Sequence, residues 1–371
     1  MLILLTTLTI YSCYDNSIVT PPPPAEPLIT DSSFFDWKIK MAYGSLAPEY
    51  QFYVADTNKV FVAGSTYGIF FDNETVKQIR YHDIYPQFEA RCVNGTSTNN
   101  VYFAGSAGGL TRRSQMVHWN GSSITGIEFP DDSSVVISNI EIVSDNDIWM
   151  STDHNIIYRY YNSKVYSYEI DSGFTNGSVF LDANGNLYAY YVKPLYGCPS
   201  SCVFLNHLYR FDNNSWNLTE MDTISQSTEF QSDPRRMNND LIRIGKTGIY
   251  YRSGNSWQKF INTGGFISNL YNIAGENRNN VLMSGYDETA GFCTYYFNGL
   301  KIYRQPQDSY PKPVIYFMQY KYGRYYMTTY DYFDFVTYLY VATFKKHNSE
   351  NLIQKKNENK IINSSNNARS E

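Results

Sequence analysis

Side chains able to act as nucleophiles, bases or soft metal ligands are sparse in this sequence, and their spacing assembles no familiar reaction centre. The histidines are His82, His118, His154, His207 and His347. No two are spaced as ligands on a metal-binding helix would be, so His118 reads as a strand histidine satisfied by its neighbours. There is no G-x-S-x-G elbow to expose a serine nucleophile, and no glycine loop running into Lys-Ser/Thr to cradle phosphate. Asp145-Asn146-Asp147 and Asp182-Ala183-Asn184-Gly185-Asn186 open like calcium loops, but neither continues to the glutamate that completes an EF-hand. They are expected to be turns, which favour Asn, Asp and Gly for backbone reasons. Cys198-Pro199-Ser200-Ser201-Cys202 could close a disulfide across its own hairpin in an oxidising compartment. A zinc site there would need two more ligands, and the neighbourhood offers none. Cys92 is expected as a buried thiol on an inner strand, and Cys293 at the start of an outer strand. No metal and no cofactor is expected.

The elements that would position any site are strands. The stretch NNVYFAGSAGGLTRRSQMVHWNGSSITGIEFP, Asn99 to Pro130, is the clearest copy of a recurring unit. That unit is an Asn/Asp turn, a short aromatic strand ending in a small residue, a loop, a second strand, an Asn-Gly turn and a third strand. The equivalent strands start near Val60, Val101, Ile148, Leu187, Leu241, Val281 and Tyr325. Their spacing of roughly 40–50 residues is the period of propeller blades. Alternation such as Val165-Tyr166-Ser167-Tyr168-Glu169-Ile170 has period two. The aromatic share is 17%, with 36 Tyr, which suits half-buried pleated surfaces. Asn-Gly and Asp-Asn dipeptides supply the left-handed residues of two-residue hairpins. The fold class is therefore all-β: a seven-bladed β-propeller of four-stranded antiparallel blades over residues 34–346. An all-β solenoid of the same period is the structural alternative. The seventh copy stops at Phe344 after three strands, while an unmatched strand, Phe35 to Ile39, precedes the first. It is predicted to supply the outer strand of the seventh blade and close the ring, leaving no exposed sheet edge.

The first residues are read apart from the fold. MLILLTTLTI, Met1 to Ile10, is too short to span a membrane as a helix and reads as the apolar core of an export signal. Ile10-Tyr11-Ser12-Cys13 resembles the lipobox of bacterial lipoproteins, although no Lys or Arg precedes the apolar run as that family's pattern requires. The resemblance implies lipidation of Cys13 after cleavage behind Ser12. The segment 14–33, with Thr20 to Pro27 as TPPPPAEP, would be a stiff spacer. Residues 347–371, poor in apolar side chains, are expected to be disordered. The repeat pattern N-D-V-Y/W-x-x-G … x-x-Y/H-x-F/W-N-G-x-x-W is similar to that of bacterial envelope β-propeller lipoproteins. It is also similar to the sensor propellers of two-component regulators. These resemblances imply a place in the cell envelope, anchored through lipid on the periplasmic or surface side of the outer membrane.

A net charge of -5 offers no basic footprint for nucleic acid. The expected partner is a protein or a glycan, the expected state a monomer, and the expected function non-catalytic binding or scaffolding. The alternative is a propeller-type glycan lyase or hydrolase whose acid and base come from different blades. The loops between second and third strands gather on one face of a propeller. Four are long: Gly108 to Gln115 with Arg112 and Arg113, Tyr191 to Asn206 with Tyr196, Tyr286 to Phe292 with Asp287 and Glu288, and Tyr330 to Val336 with Tyr332 and Phe333. Long loops carrying charges or aromatics are often functional. They form the expected ligand-binding face, with the arginines suited to an acidic group and Tyr196, Tyr332 and Phe333 to a sugar ring or apolar side chain.

Overall fold

The computed structural model describes residues 28–29, 34–44, 51–65, 67–73, 75–107, 113–130, 135–195, 203–224, 234–238, 240–254, 256–264, 269–287, 291–305, 314–331 and 336–345. Alternating apolar side chains and tight turns produce seven four-stranded antiparallel sheets, six of them with those four strands paired in sequence order. Blades one to six occupy residues 52–79, 88–127, 137–169, 175–224, 235–262 and 269–304. Blade seven takes three strands from 314–344 and its outer strand from Phe35–Gly44. The ring is thus closed by the N-terminal strand, with Phe35 opposite Phe344 and Gly44 opposite Val336. That strand is longer than the predicted Phe35 to Ile39, because a register shift between Ile39 and Met41 lets pairing continue to Gly44.

First strands of neighbouring blades contact one another and ring the axis. Register shifts mark the first-to-second pairings of six blades, for example between Gly95 and Ser97 and between Ile142 and Ser144. Such bulges strengthen local twist, which strands crowded around an axis need. The third-to-fourth hairpins turn on left-handed residues as expected: Asn213 and Asn214 have φ of 51° and 62°, and Gly121, in Asn120-Gly121, has φ of 97°.

The core is divided among the seams between blades. The largest cluster joins blades seven, one and two through side chains such as Phe61, Phe103 and Tyr326. The smallest holds blades four and five with only Phe180, Tyr190, Leu208 and Leu241 fully buried. There an ion cluster adds to the packing. Arg243, 1% exposed on the second strand of blade five, pairs with Asp222 on the outer strand of blade four and lies 3.9 Å from Glu220. Glu220 also pairs with Arg252 and accepts from the Trp257 indole at 2.9 Å.

Two sequence expectations change. Leu28–Ile29, inside the stretch read as spacer, adds a parallel fifth strand to blade six against Ile302 and Tyr303. Cys293 does not begin an outer strand. It lies in the third strand of blade six, 2% exposed, because the chain's outer strand there is Ile302–Arg304. Cys92 is on an inner strand and fully buried, its thiol donating to the Ala104 carbonyl at 3.4 Å; burial pushes that thiol up.

Candidate functional site: the channel and the loop face

Inner strands alternate their side chains between the seams and the axis, so polar residues at axial positions create a channel. A cavity of about 570 Å³ occupies it, lined from six blades, with Asn94, Glu141, Arg236, Gln319 and Lys321 as its principal polar groups. These come mainly from the second halves of the inner strands, near the first-to-second turns. Many axial groups also tie one blade to the next. Asn94 donates to the Ile140 carbonyl at 3.2 Å, Asn139 accepts from the Val179 amide at 3.0 Å, and Lys321 donates to the Val54 carbonyl at 2.6 Å. Burial pulls the Lys321 ammonium below its ordinary range.

Glu141 is the most perturbed acid here. It accepts from the Leu181 amide on blade four, and its carboxylate stands 3.7 Å from Arg236 on blade five. Burial pushes its carboxyl up to about 7, outweighing the opposing pull of Arg236 and of the Leu181 hydrogen bond. One side chain therefore spans blade four and meets a cation beyond it. Asn94, Glu141, Arg236 and Gln319 all sit on inner strands and were not singled out from the sequence. The available signal was their polarity at positions where a fully buried strand would carry Val or Ile.

The loop face is described only at its edges. Arg113 is the first residue of the third strand of blade two, exposed and paired with Ala107. Asp287 ends the second strand of blade six opposite Gly291. Arg112, Tyr196, Glu288, Tyr332 and Phe333 lie outside the described residues, as do Cys13, Cys198, Cys202 and the segment 347–371. The flanking strands run further into all four stretches than expected, ending at Ala107, Leu195, Asp287 and Asp331 and resuming at Arg113, Val203, Gly291 and Val336. Tyr191, placed in a loop from the sequence, is a fully buried strand residue whose hydroxyl donates to the Ile156 carbonyl at 3.0 Å.

The described histidines are scattered over the structure, and His347 lies outside the described residues. His118 contacts Asn100 Oδ1 at 2.7 Å and stacks on Tyr102, and burial lowers its pKa. His207 lies 2.8 Å from the Tyr209 hydroxyl, which donates to Asp171 at 2.8 Å. Phe174 covers that imidazole at 4.2 Å, so the chain runs from buried His207 in blade four out to the exposed Asp171 in the connection from blade three. Asp182 acts as a turn residue, accepting from the amides of Asn184 and Asn186, whereas Asp145, at the first turn of blade three, accepts from the Thr96 hydroxyl and the Asn100 side-chain amide of blade two. Among the described residues no group of three His, Cys, Asp or Glu could hold a metal ion.

The fold defines an all-β, seven-bladed propeller, and solved propellers resemble it. YCF48 bound to D1 peptide matches with a TM-score of 0.60 at 12% identity, covering 85% of this chain and 100% of that one. YCF48 from Cyanidioschyzon merolae matches with a TM-score of 0.56 at 14% identity, over 83% and 99%. The Pan2 WD40 domain of Neurospora crassa matches with a TM-score of 0.53 at 9% identity, over 85% and 98%. At these identities the likeness is one of fold. No family model matches the chain, and no curated protein does.

Proposed function

We propose that this chain is a non-catalytic β-propeller binding or scaffold module, anchored by lipid at Cys13 to the bacterial envelope and presenting one face to a protein or glycan. The observation that carries the non-catalytic part is the carboxylate content of the channel. Glu141 is the one carboxylate among the described residues lining the cavity, whereas glycoside hydrolysis ordinarily takes two flanking the scissile bond. The likeness to a propeller solved with a bound peptide supports a protein partner. Arg112, Arg113, Tyr196, Asp287, Glu288, Tyr332 and Phe333 form the proposed contact face.

A second reading is a propeller lyase or hydrolase. Glu141 favours it, since a carboxyl pushed to about 7 inside a cleft is what a general acid or base requires. Binding to peptide and glycan arrays, run beside a reducing-end or unsaturated-product assay on polysaccharides, separates the two. Binding without product, weakened when residues 196–202 are replaced by a tight turn, supports the module. Product release that disappears in Glu141→Gln replaces it with the enzyme.

A further inference from the structure

Blade six carries a group of exposed aromatic rings, two of them, Tyr286 and Phe292, at the ends of a loop the sequence assigned to the ligand-binding face for its charges rather than its rings. Tyr286 is the penultimate residue of its second strand, and Phe292 lies directly opposite on the third. Tyr271 joins them from the inner strand, at the register shift between Leu270 and Asn272. Their relative exposures are 36%, 39% and 42%. The Tyr286 and Phe292 rings meet edge to face at 5.4 Å, and Tyr271 approaches Phe292 at 5.9 Å with a tilt of 41°. Three large rings exposed together, in mutual contact, are unlike the single exposed apolar residues of an ordinary surface.

A notch opens under them where blade six meets blade seven. Tyr271, Phe292, Ser284, Thr294 and Ile315 line it, and its volume is about 10 Å³. That is space for one water-sized group. Ser284 is 4% exposed, and its Oγ has no hydrogen-bond partner. A buried hydroxyl left unpaired is costly, so it marks a place where an incoming polar group gains.

We infer that this corner binds a neutral pyranose ring, with a C–H face against Phe292 and Tyr286 and one ring hydroxyl in the notch at Ser284. The inference rests on the reading of the chain as a binding module and names its ligand class at this blade. The chemistry selects a sugar over an apolar side chain. A sugar offers an apolar face edged by hydroxyls, which matches an aromatic rim over a polar floor. An apolar side chain would cover the rings and leave Ser284 unsatisfied.

The test uses the full chain and soluble hexasaccharides of glucose, mannose and N-acetylglucosamine, titrated calorimetrically. A peptide array and a reducing-end assay run in parallel. At least one saccharide should bind. Ser284→Ala should bind it about tenfold more weakly, the loss of one hydrogen bond. Phe292→Ala should bind it at least as poorly, with far-UV circular dichroism unchanged in both. Leu300→Ala, an exposed control on the same blade at 61%, should bind normally. Saccharide binding that survives both Phe292→Ala and Ser284→Ala overturns the inference, and so does the absence of saccharide binding. Peptides bound without saccharides overturn the sugar and leave the binding module standing. Release of reducing ends with Phe292-dependent binding supports the sugar site and overturns the non-catalytic reading.

Discussion

Replacing Phe35 with alanine tests how far ring stability depends on its closing strand. Phe35 is 1% exposed and opens the strand that pairs with the last strand of the chain. Its ring sits 4.7 Å from Phe344, 5.2 Å from Tyr296, 5.4 Å from Tyr325 and 5.7 Å from Trp37. It therefore joins the N-terminal strand to blade seven and to blade six at once. Truncating a fully buried phenylalanine costs about 3–5 kcal/mol. At about 2–3 °C per kcal/mol for a chain of this size, the thermal midpoint should fall by roughly 6–15 °C. The control lies four residues away: Ile39 is on the same strand but 57% exposed, so Ile39→Ala should change stability by less than about 0.5 kcal/mol. Scanning fluorimetry gives the midpoints, and equilibrium urea unfolding gives the free energies. Deleting residues 34–40 should exceed the effect of Phe35→Ala, because it also exposes the edge of the last strand. If Phe35→Ala melts together with Ile39→Ala, the closing strand contributes little and the argument fails.

At the seam of blades four and five, Asp222→Ala should cost about 3 kcal/mol in urea unfolding by leaving the Arg243 guanidinium buried with a poorer partner. Adding Arg243→Met should restore part of that, since an apolar chain needs no counter-ion; a double variant less stable than the single one refutes this. Glu141 sets a pH dependence with a definite sign. Its folded pKa, about 7, lies above its ordinary 4.5, so its protonated form is favoured by folding and that contribution is full below about 4.5. The contribution is lost as pH rises toward 7. Glu141→Gln should therefore gain stability relative to wild type between pH 5 and 8, on the order of 1–3 kcal/mol, and a difference constant over that range would contradict the burial argument. Detergent partitioning of wild type and Cys13→Ala, expressed with an added basic n-region, tests the anchor; the variant should move to the aqueous phase, and unchanged partitioning removes lipid from the account.

Much of the ring was legible because its signals are local. Asn120-Gly121 and Asn213-Asn214 name their own hairpins, and period-two alternation names the strands between them. Closure was legible by subtraction, one strand missing after Phe344 and one unmatched at Phe35. Loop lengths were less so, since pairing continues wherever a partner strand is available: Leu195 opposite Val203 and Asp287 opposite Gly291 are ladder pairs within stretches that read as loops. The channel was harder still. Whether Glu141 faces the axis or a seam depends on the radial placement of its strand and on the partner that Arg236 supplies from two blades away. The Tyr271, Tyr286 and Phe292 corner was hidden for a related reason: its rings come from three strands and meet only through the sheet's register.

The closing strand also sets an order of events. A ribosome delivers Phe35 long before Phe344, its partner in the ladder. At about 5–20 residues per second, the wait for that partner is roughly 15–60 s. Through that interval each finished blade can pack on its predecessor, while the Phe35 strand waits for the last strand of the ring. A chain halted before the final strand would hold almost every blade and no clasp. Its Phe35 segment would stay available to the matching last strand of another molecule. Two nascent chains held close together could exchange this one strand and lock as a pair, each ring fastened by its neighbour's beginning.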